Sequence, residues 1–186
     1  MADAPLMAGK SVLVTGGTGG IGRQIALSLA EEGAQIAIVG RRYDRAAVEE
    51  IGARGVRVVG IEADVSREAE VVRMVEQTLR ELGRIDLYVN NAATAEHQPF
   101  TKISAEAWQR VLNTNLAACL WGCREVSRHM IARRQGSILI VGSTSIYTPG
   151  PGEPSTPLLQ GLGLPTDVLV QVYAGNARRI LGGNAS

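Results

Sequence analysis

Val12-Leu13-Val14-Thr15-Gly16-Gly17-Thr18-Gly19-Gly20-Ile21-Gly22 is a short apolar run that feeds a glycine cluster and empties into a helical pattern. A backbone that must turn through φ values other residues resist, and that an anionic group must approach without meeting Cβ atoms, needs glycine for both reasons. Gly17-x-Gly19-x-x-Gly22 has the spacing of a dinucleotide-binding turn, and Thr15-Gly16-x-x-x-Gly20-x-Gly22 satisfies a second, rarer spacing in the same residues. A phosphate-loop nucleotidase requires Lys and then Ser or Thr after the last glycine; Arg23-Gln24 stand there, which excludes it. The alternative of a plain flexible turn is opposed by context, since the cluster follows a strand and opens a helix.

The chain has 186 residues, enough for one domain with a sizeable core and short for two. Nineteen basic and 18 acidic residues leave a net charge of +1 without a basic stripe, which argues against nucleic acid or a membrane surface as partner and for a small molecule. Residues 1–8 lack the long apolar core of a signal peptide or membrane span, so a cytoplasmic location is expected. Cys119 and Cys123 stack four apart on one helical face; without further Cys or His beside them they are expected to be buried free thiols, not metal ligands. His97 and His129 stand alone and are assigned no chemistry, and no metal site is expected.

Going outward from the glycine cluster, the pattern alternates. Strands are predicted at Ser11–Val14, Gln35–Val39, Val56–Glu62, Ile85–Val89 and Ser137–Val141. Helices are predicted at Ile21–Glu32, with an Ile21, Ile25, Leu29 stripe, at Asp44–Ala53, from Arg67 to Leu82, and in one long run from Ser104 to Arg134. Gly33 and Gly83 stop the first and third of these, and Ser66 with Glu68 and Glu70 suits a helix start. The nearly unbroken apolar runs are those of parallel strands covered on both faces, which gives an α/β, doubly wound parallel sheet ordered 3-2-1-4-5. From Thr148 to Pro157 stand four of the chain's seven prolines, which remove donors and block helix. The domain is therefore drawn over residues 8–145, with 146–186 an irregular tail holding one more helix at Asp167–Leu181.

Five features in this order and spacing resemble the classical short-chain dehydrogenases/reductases over residues 8 to 145. They are Thr15-Gly16-(x)3-Gly20-Ile21-Gly22, Asp64-Val65, Asn90-Asn91-Ala92-Ala93, Asn113-Thr114-Asn115-Leu116 and Ser143. The resemblance implies a Rossmann-like fold and hydride transfer between a nicotinamide cofactor and a carbonyl or alcohol substrate. It implies that Thr15, Gly16, Thr18, Gly20, Ile21 and Gly22 hold the pyrophosphate, that Asp64 accepts from the adenine amino group with Val65 beside it, and that Asn90 and Ala92 close the cofactor floor. Asn90 is also expected to tie the fourth strand to the first. Ser143 would bind the substrate oxygen, and the backbone and side chain of Asn115 would hold a water in a proton relay. Read from their residues alone, Asp64 also suits a helix cap and Asn115 a helix bend or an interface.

For cofactor choice, Gly40-Arg41-Arg42 closes the second strand where an NAD site places an acid, and Asp44 is the first acid after it. A guanidinium near the adenosine ribose pairs with a 2′-phosphate, so NADP is expected in preference to NAD. The family's Tyr-x-x-x-Lys pair has no counterpart: the last lysine is Lys102, four residues after Tyr147 stands Pro151, and four after Tyr173 stands Ala177. The family's sixth and seventh strands and substrate loop are missing as well. Truncation, alternative splicing and a frame change near Pro149 to Gln160 all remain open, as does a nucleotide-binding protein without catalysis. A third reading is self-association through the long helix 104–134, whose apolar face includes Trp108, Val111, Leu112, Leu116 and Leu120, set against ordinary packing of that face on the sheet, which is the preferred alternative.

Overall fold

Residues 5–96 and 98–142 are described by the computed structural model; the expectations for Ser143, Tyr147, Tyr173, His97 and the 146–186 tail lie outside them. In chain order the elements are β1 (Ser11–Thr15), α1 (Gly20–Glu31), β2 (Gln35–Gly40), α2 (Arg45–Gly52), β3 (Val58–Glu62), α3 (Glu68–Leu82), β4 (Leu87–Asn90), α4 (Ala105–Leu112), α5 (Ala118–Arg133) and β5 (Ser137–Ile140). A 3-10 turn at Phe100–Lys102 precedes α4. The five strands pair in parallel in the order β3-β2-β1-β4-β5. The α/β doubly wound architecture is therefore the observed one.

Alternation along each strand sends neighbours to opposite faces. Val12 and Val14 of β1, with Ile36 and Ile38 of β2, pack under Ala26 and Ala30 of α1 and Ile51 of α2. Leu13, Ala37 and Val39 point the other way, with Tyr88 of β4, against Val71, Met74 and Val75 of α3 and Val126 and Met130 of α5. Both faces are apolar because both are covered, which is why these strands read as unbroken hydrophobic runs. Gly122 lets α5 lie close: a Cβ there would run into the Tyr88 phenol.

Most boundaries shift by one or two residues from the sequence reading, and a few of the differences bear on the site. The third strand begins at Val58, and Ile85 and Asp86 precede the fourth. Ile85 is fully buried without pairing, and Asp86 turns its carboxylate to accept from the Ser11 amide at 2.9 Å, Arg84 Nε at 2.9 Å and Arg133 at 2.8 Å. Burial works against that charge, but Arg133, the Ser11 amide and Arg84 outweigh it and hold the carboxyl below its usual range. Ser66 does not cap α3; Arg67 is the N-cap position, without a side-chain bond, because the Ser66 hydroxyl is given to Asp64. The long helix, expected as one run, is broken by a five-residue π turn at Asn113–Ala117 between α4 and α5. Cys119 and Cys123 are free and only half-buried; burial, with Cys119 beside it, pushes the Cys123 thiol up to about 11.

Candidate functional site

The carboxyl ends of β1, β2 and β3 open into a cleft of about 450 Å³ at the point where the chain crosses from β3 back to β4 beside β1. That crevice is where open α/β sheets bind ligands. Its floor is the turn after β1. Gly16 sits at φ +65°, which favours glycine, and a Cβ on it would stand 2.9 Å from Asn91 Nδ2. A Cβ on Gly22 would run into the Gly16 carbonyl, so α1 approaches the turn only because that position is bare. At Gly19, which lines the cleft, a Cβ would meet nothing within 4 Å. The backbone there is open to an incoming group.

Gly19 is also the N-cap of α1, which has no side-chain cap and no acid in its first turn. The first amides of a helix lack intrahelical acceptors and carry the positive end of its dipole. Bare glycine backbone, uncapped amides and an uncompensated dipole at one spot form a cradle for an anion of phosphate type. A dinucleotide pyrophosphate fits this cradle.

Thr15 organises the layer beneath. Its buried hydroxyl accepts from the amides of Asn91 at 3.0 Å and Ala92 at 3.1 Å and donates to the Val89 carbonyl at 3.4 Å. The tie between the fourth strand and the first, expected of Asn90, belongs to Asn91, whose Nδ2 donates to the Thr15 carbonyl at 3.0 Å and the Gly16 carbonyl at 3.4 Å. Asn90 is buried and accepts from the Tyr88 hydroxyl at 2.9 Å instead. Alternation explains the exchange: Asn90 shares a face with Tyr88 two residues before it, and Asn91, beyond the strand end, faces the turn. Burial raises the Tyr88 pKa, so it stays a neutral donor.

Asp64 stands on the opposite wall. Its Oδ1 accepts from the Ser66 amide at 3.0 Å and hydroxyl at 2.7 Å, and its own amide donates to Glu70 at 2.7 Å. Burial pushes its carboxyl up, but the two Ser66 bonds, with Arg67 and Arg41 nearby, outweigh that and hold it below the usual range. The carboxylate is thus an ionised acceptor and caps no helix. Arg41 lines the cleft, and Arg42, though exposed, does not.

Of the residues expected to hold the cofactor, the cleft walls include Gly16, Thr18, Ile21, Arg41, Asp64, Val65 and Ala92. Thr15, Gly20, Gly22, Arg42 and Asn90 are not among the lining residues, and Thr15 and Gly22 support the turn from below. The walls also hold Gly40, Ser66, Asn91, Thr94, Arg110 and Thr114, which the motif reading did not assign. Asn91 and Thr114 stand inside quoted motifs, whereas Thr94 and Arg110 carry no motif; Arg110, on α4, lines the cleft and pairs with Glu96.

Asn115 lies in the π turn. Its Oδ1 accepts from the Thr94 amide and its Nδ2 donates to the Thr94 carbonyl, both at 2.8 Å. Both polar ends of the side chain bond the loop after β4, which ties the π turn to that loop. π turns concentrate at functional sites because they re-aim the residues around them.

The chain matches the short chain dehydrogenase family over residues 10–155. It is 38% identical over 136 residues to the hydroxy(phenyl)methylsuccinyl-CoA dehydrogenase subunit BbsD of Thauera aromatica, a match covering 72% of this chain and 55% of that one. It is 35% identical over 147 residues to the 3-oxoacyl-(acyl-carrier-protein) reductase FabG of Staphylococcus epidermidis, covering 77% of this chain and 60% of the relative. A solved Sinorhizobium meliloti structure described as a short-chain alcohol dehydrogenase superposes with a TM-score of 0.74 at 27% identity, covering 92% of this chain and 69% of the other. The chain therefore spans little more than half the length of the curated relatives it matches. With the glycine turn, the sheet order and the acidic wall in their places, this chain belongs to the short chain dehydrogenase family.

Proposed function

We propose that the cleft binds NADP(H) and serves an oxidoreductase of the short-chain dehydrogenase/reductase type, with hydride passing between the cofactor and a small carbonyl or alcohol substrate. The observation that carries the reading is the convergence of the anion cradle at Gly16–Ile21, Arg41 and the ionised Asp64 on one cleft. The nicotinamide supplies or takes up the hydride. The Gly19–Gly22 backbone binds the pyrophosphate, Arg41 pairs with the 2′-phosphate, Asp64 accepts from the adenine amino group, and Asn115 fixes the loop that carries Ala92 and Thr94 beside the cofactor. Ser143 is assigned the substrate oxygen. A cytoplasmic location and a domain over residues 8–145 belong to the same proposal. The exposed apolar side chains of Trp108, Leu116 and Leu120 support self-association through the long helix.

One observation favours a second reading, nucleotide binding without turnover: no Tyr-x-x-x-Lys pair occurs in these 186 residues. Titration of the chain with NADPH and NADH, followed by nucleotide fluorescence, tests the shared core of both. NADPH is expected to bind more tightly than NADH. Arg41→Ala should weaken NADPH by about 10- to 100-fold, the worth of one charge-assisted contact, with NADH nearly unchanged and Arg42→Ala smaller. Equal loss for both nucleotides would show that the arginines do not read the phosphate.

A further inference from the structure

Arg41 lines the cleft, where its charge acts on the Asp64 carboxylate, but among the described residues no hydrogen bond of its guanidinium fixes it there. Its position is set by the backbone between β2 and α2, and that short stretch is pinned at both ends. The Gly40 carbonyl accepts from the Ala63 amide at 2.9 Å, and Asp44 caps α2 by accepting from the Ala47 amide at 2.9 Å. The pin between them is Tyr43.

Tyr43 is 55% exposed, so its ring adds little to the core. Its exposure is one-sided. One ring edge lies on β3 at Gly60: a Cβ there would stand 2.6 Å from Tyr43 Cε2, 3.1 Å from Cδ2 and 2.7 Å from Val48 Cγ2. The ring and Val48 occupy the space that a side chain at position 60 would fill, and only glycine leaves that seat open. The Tyr43 amide donates to Glu62 at 3.1 Å, one turn of the pleat further along the same strand. Ring and amide thus both fasten the chain to β3, two residues after Arg41 and beside the wall that carries Asp64.

We propose that Tyr43, seated on Gly60 and held by Glu62, is a positioning residue that sets where Arg41 stands at the cleft and so sets the discrimination between NADP(H) and NAD(H). The inference rests on the reading of Arg41 given above. A charge-assisted contact to a phosphate depends on placement, whereas the contacts of the Gly19–Gly22 turn serve both nucleotides alike. Loosening the Tyr43 anchor therefore costs the phosphorylated nucleotide selectively.

The test uses the full chain as wild type, Tyr43→Ala, Tyr43→Phe, Gly60→Ala and Arg41→Ala, with dissociation constants for NADPH and NADH from nucleotide fluorescence and a melting curve for each. Tyr43→Ala should cut the preference for NADPH by about fivefold, part of what deleting Arg41 removes, with NADH affinity and melting temperature little changed. Gly60→Ala, which lifts the ring from below, should move the preference the same way, and Tyr43→Phe, which keeps ring and amide, should retain it. If Tyr43→Ala keeps the wild-type preference while Arg41→Ala collapses it, the inference fails and the reading of Arg41 stands. If neither variant moves the preference, both fail. A Tyr43→Ala variant that weakens both nucleotides equally assigns Tyr43 a purely structural role and also overturns the proposal.

Discussion

β1 and β5 flank the same strand and are packed to opposite degrees. Every residue of β1 is buried, whereas Ile138, Leu139 and Ile140 of β5 are 37%, 48% and 55% exposed. Consecutive residues of a strand face opposite sides, so exposure at three in a row leaves both faces of β5 open among the described residues. β1 and β2, by contrast, are covered by helices on both faces, and the glycine turn, Arg41 and Asp64 stand at the strand ends on that side. On the proposed reading, cofactor recognition falls to the β1 to β3 side, and Ser143 comes three residues after the end of β5.

The sharpest way to break that contrast is to ask the β5 side for chemistry. A positioned proton donor contributes about 10²–10⁴-fold, so NADPH oxidation against a panel of ketones, aldehydes and quinones should fall short of ordinary enzymes by that factor while NADPH still binds. Turnover at roughly 1 s⁻¹ or more would show that the contrast does not extend to function, and Tyr147→Phe and Tyr173→Phe would then locate the donor.

Packing gives the next largest effect. Leu13→Ala empties a fully buried site between two helices and should cost about 2–5 kcal/mol in urea denaturation. Ile140→Ala, on a side chain more than half in water, should cost under about 1 kcal/mol. Equal losses would mean that β5 is as covered as β1.

Asp86 joins the two sides, since it holds Ser11 of β1 and Arg133 of α5. Its folded pKa lies below the unfolded value, so its stabilisation is fully present above the ordinary carboxylate range and is lost as pH falls through the folded pKa, below about 3.8. Asp86→Asn should lower stability at pH 7 by about 1.5–3 kcal/mol, and its deficit against wild type should shrink in that acid window. A deficit unchanged at low pH would show that the charge contributes nothing beyond its shape.

Much of this was legible in the residues. The helix start at Ser104 follows from a side chain that accepts from the amide three residues on, at 3.1 Å to Ala107, and the stop at Gly83 from a glycine at φ +76°. Other features were not legible, because their partners are remote in sequence. The π turn at Asn113–Ala117 carries no propensity signal; it is stabilised by the two bonds from Asn115 to Thr94, 21 residues earlier. Asp86 looked like the second residue of a strand; that its carboxylate takes the Ser11 amide, 75 residues away, and Arg133 is set by partners remote in sequence.

What the sequence determined by itself was the kind of sheet and the place of its cradle. Apolar periodicity and glycine spacing are local, and a doubly wound parallel sheet has few alternatives once five covered strands alternate with helices. What only the tertiary structure decided was which of two adjacent residues faces the site: Asn91 rather than Asn90 on the turn, Arg41 rather than Arg42 on the cleft wall. The physical reason is directional. Neighbours along a strand point to opposite sides, which separates Asn90 from Asn91 at the end of β4, and beyond a strand end the turn of the backbone decides which of Arg41 and Arg42 meets the cleft, which a motif does not contain.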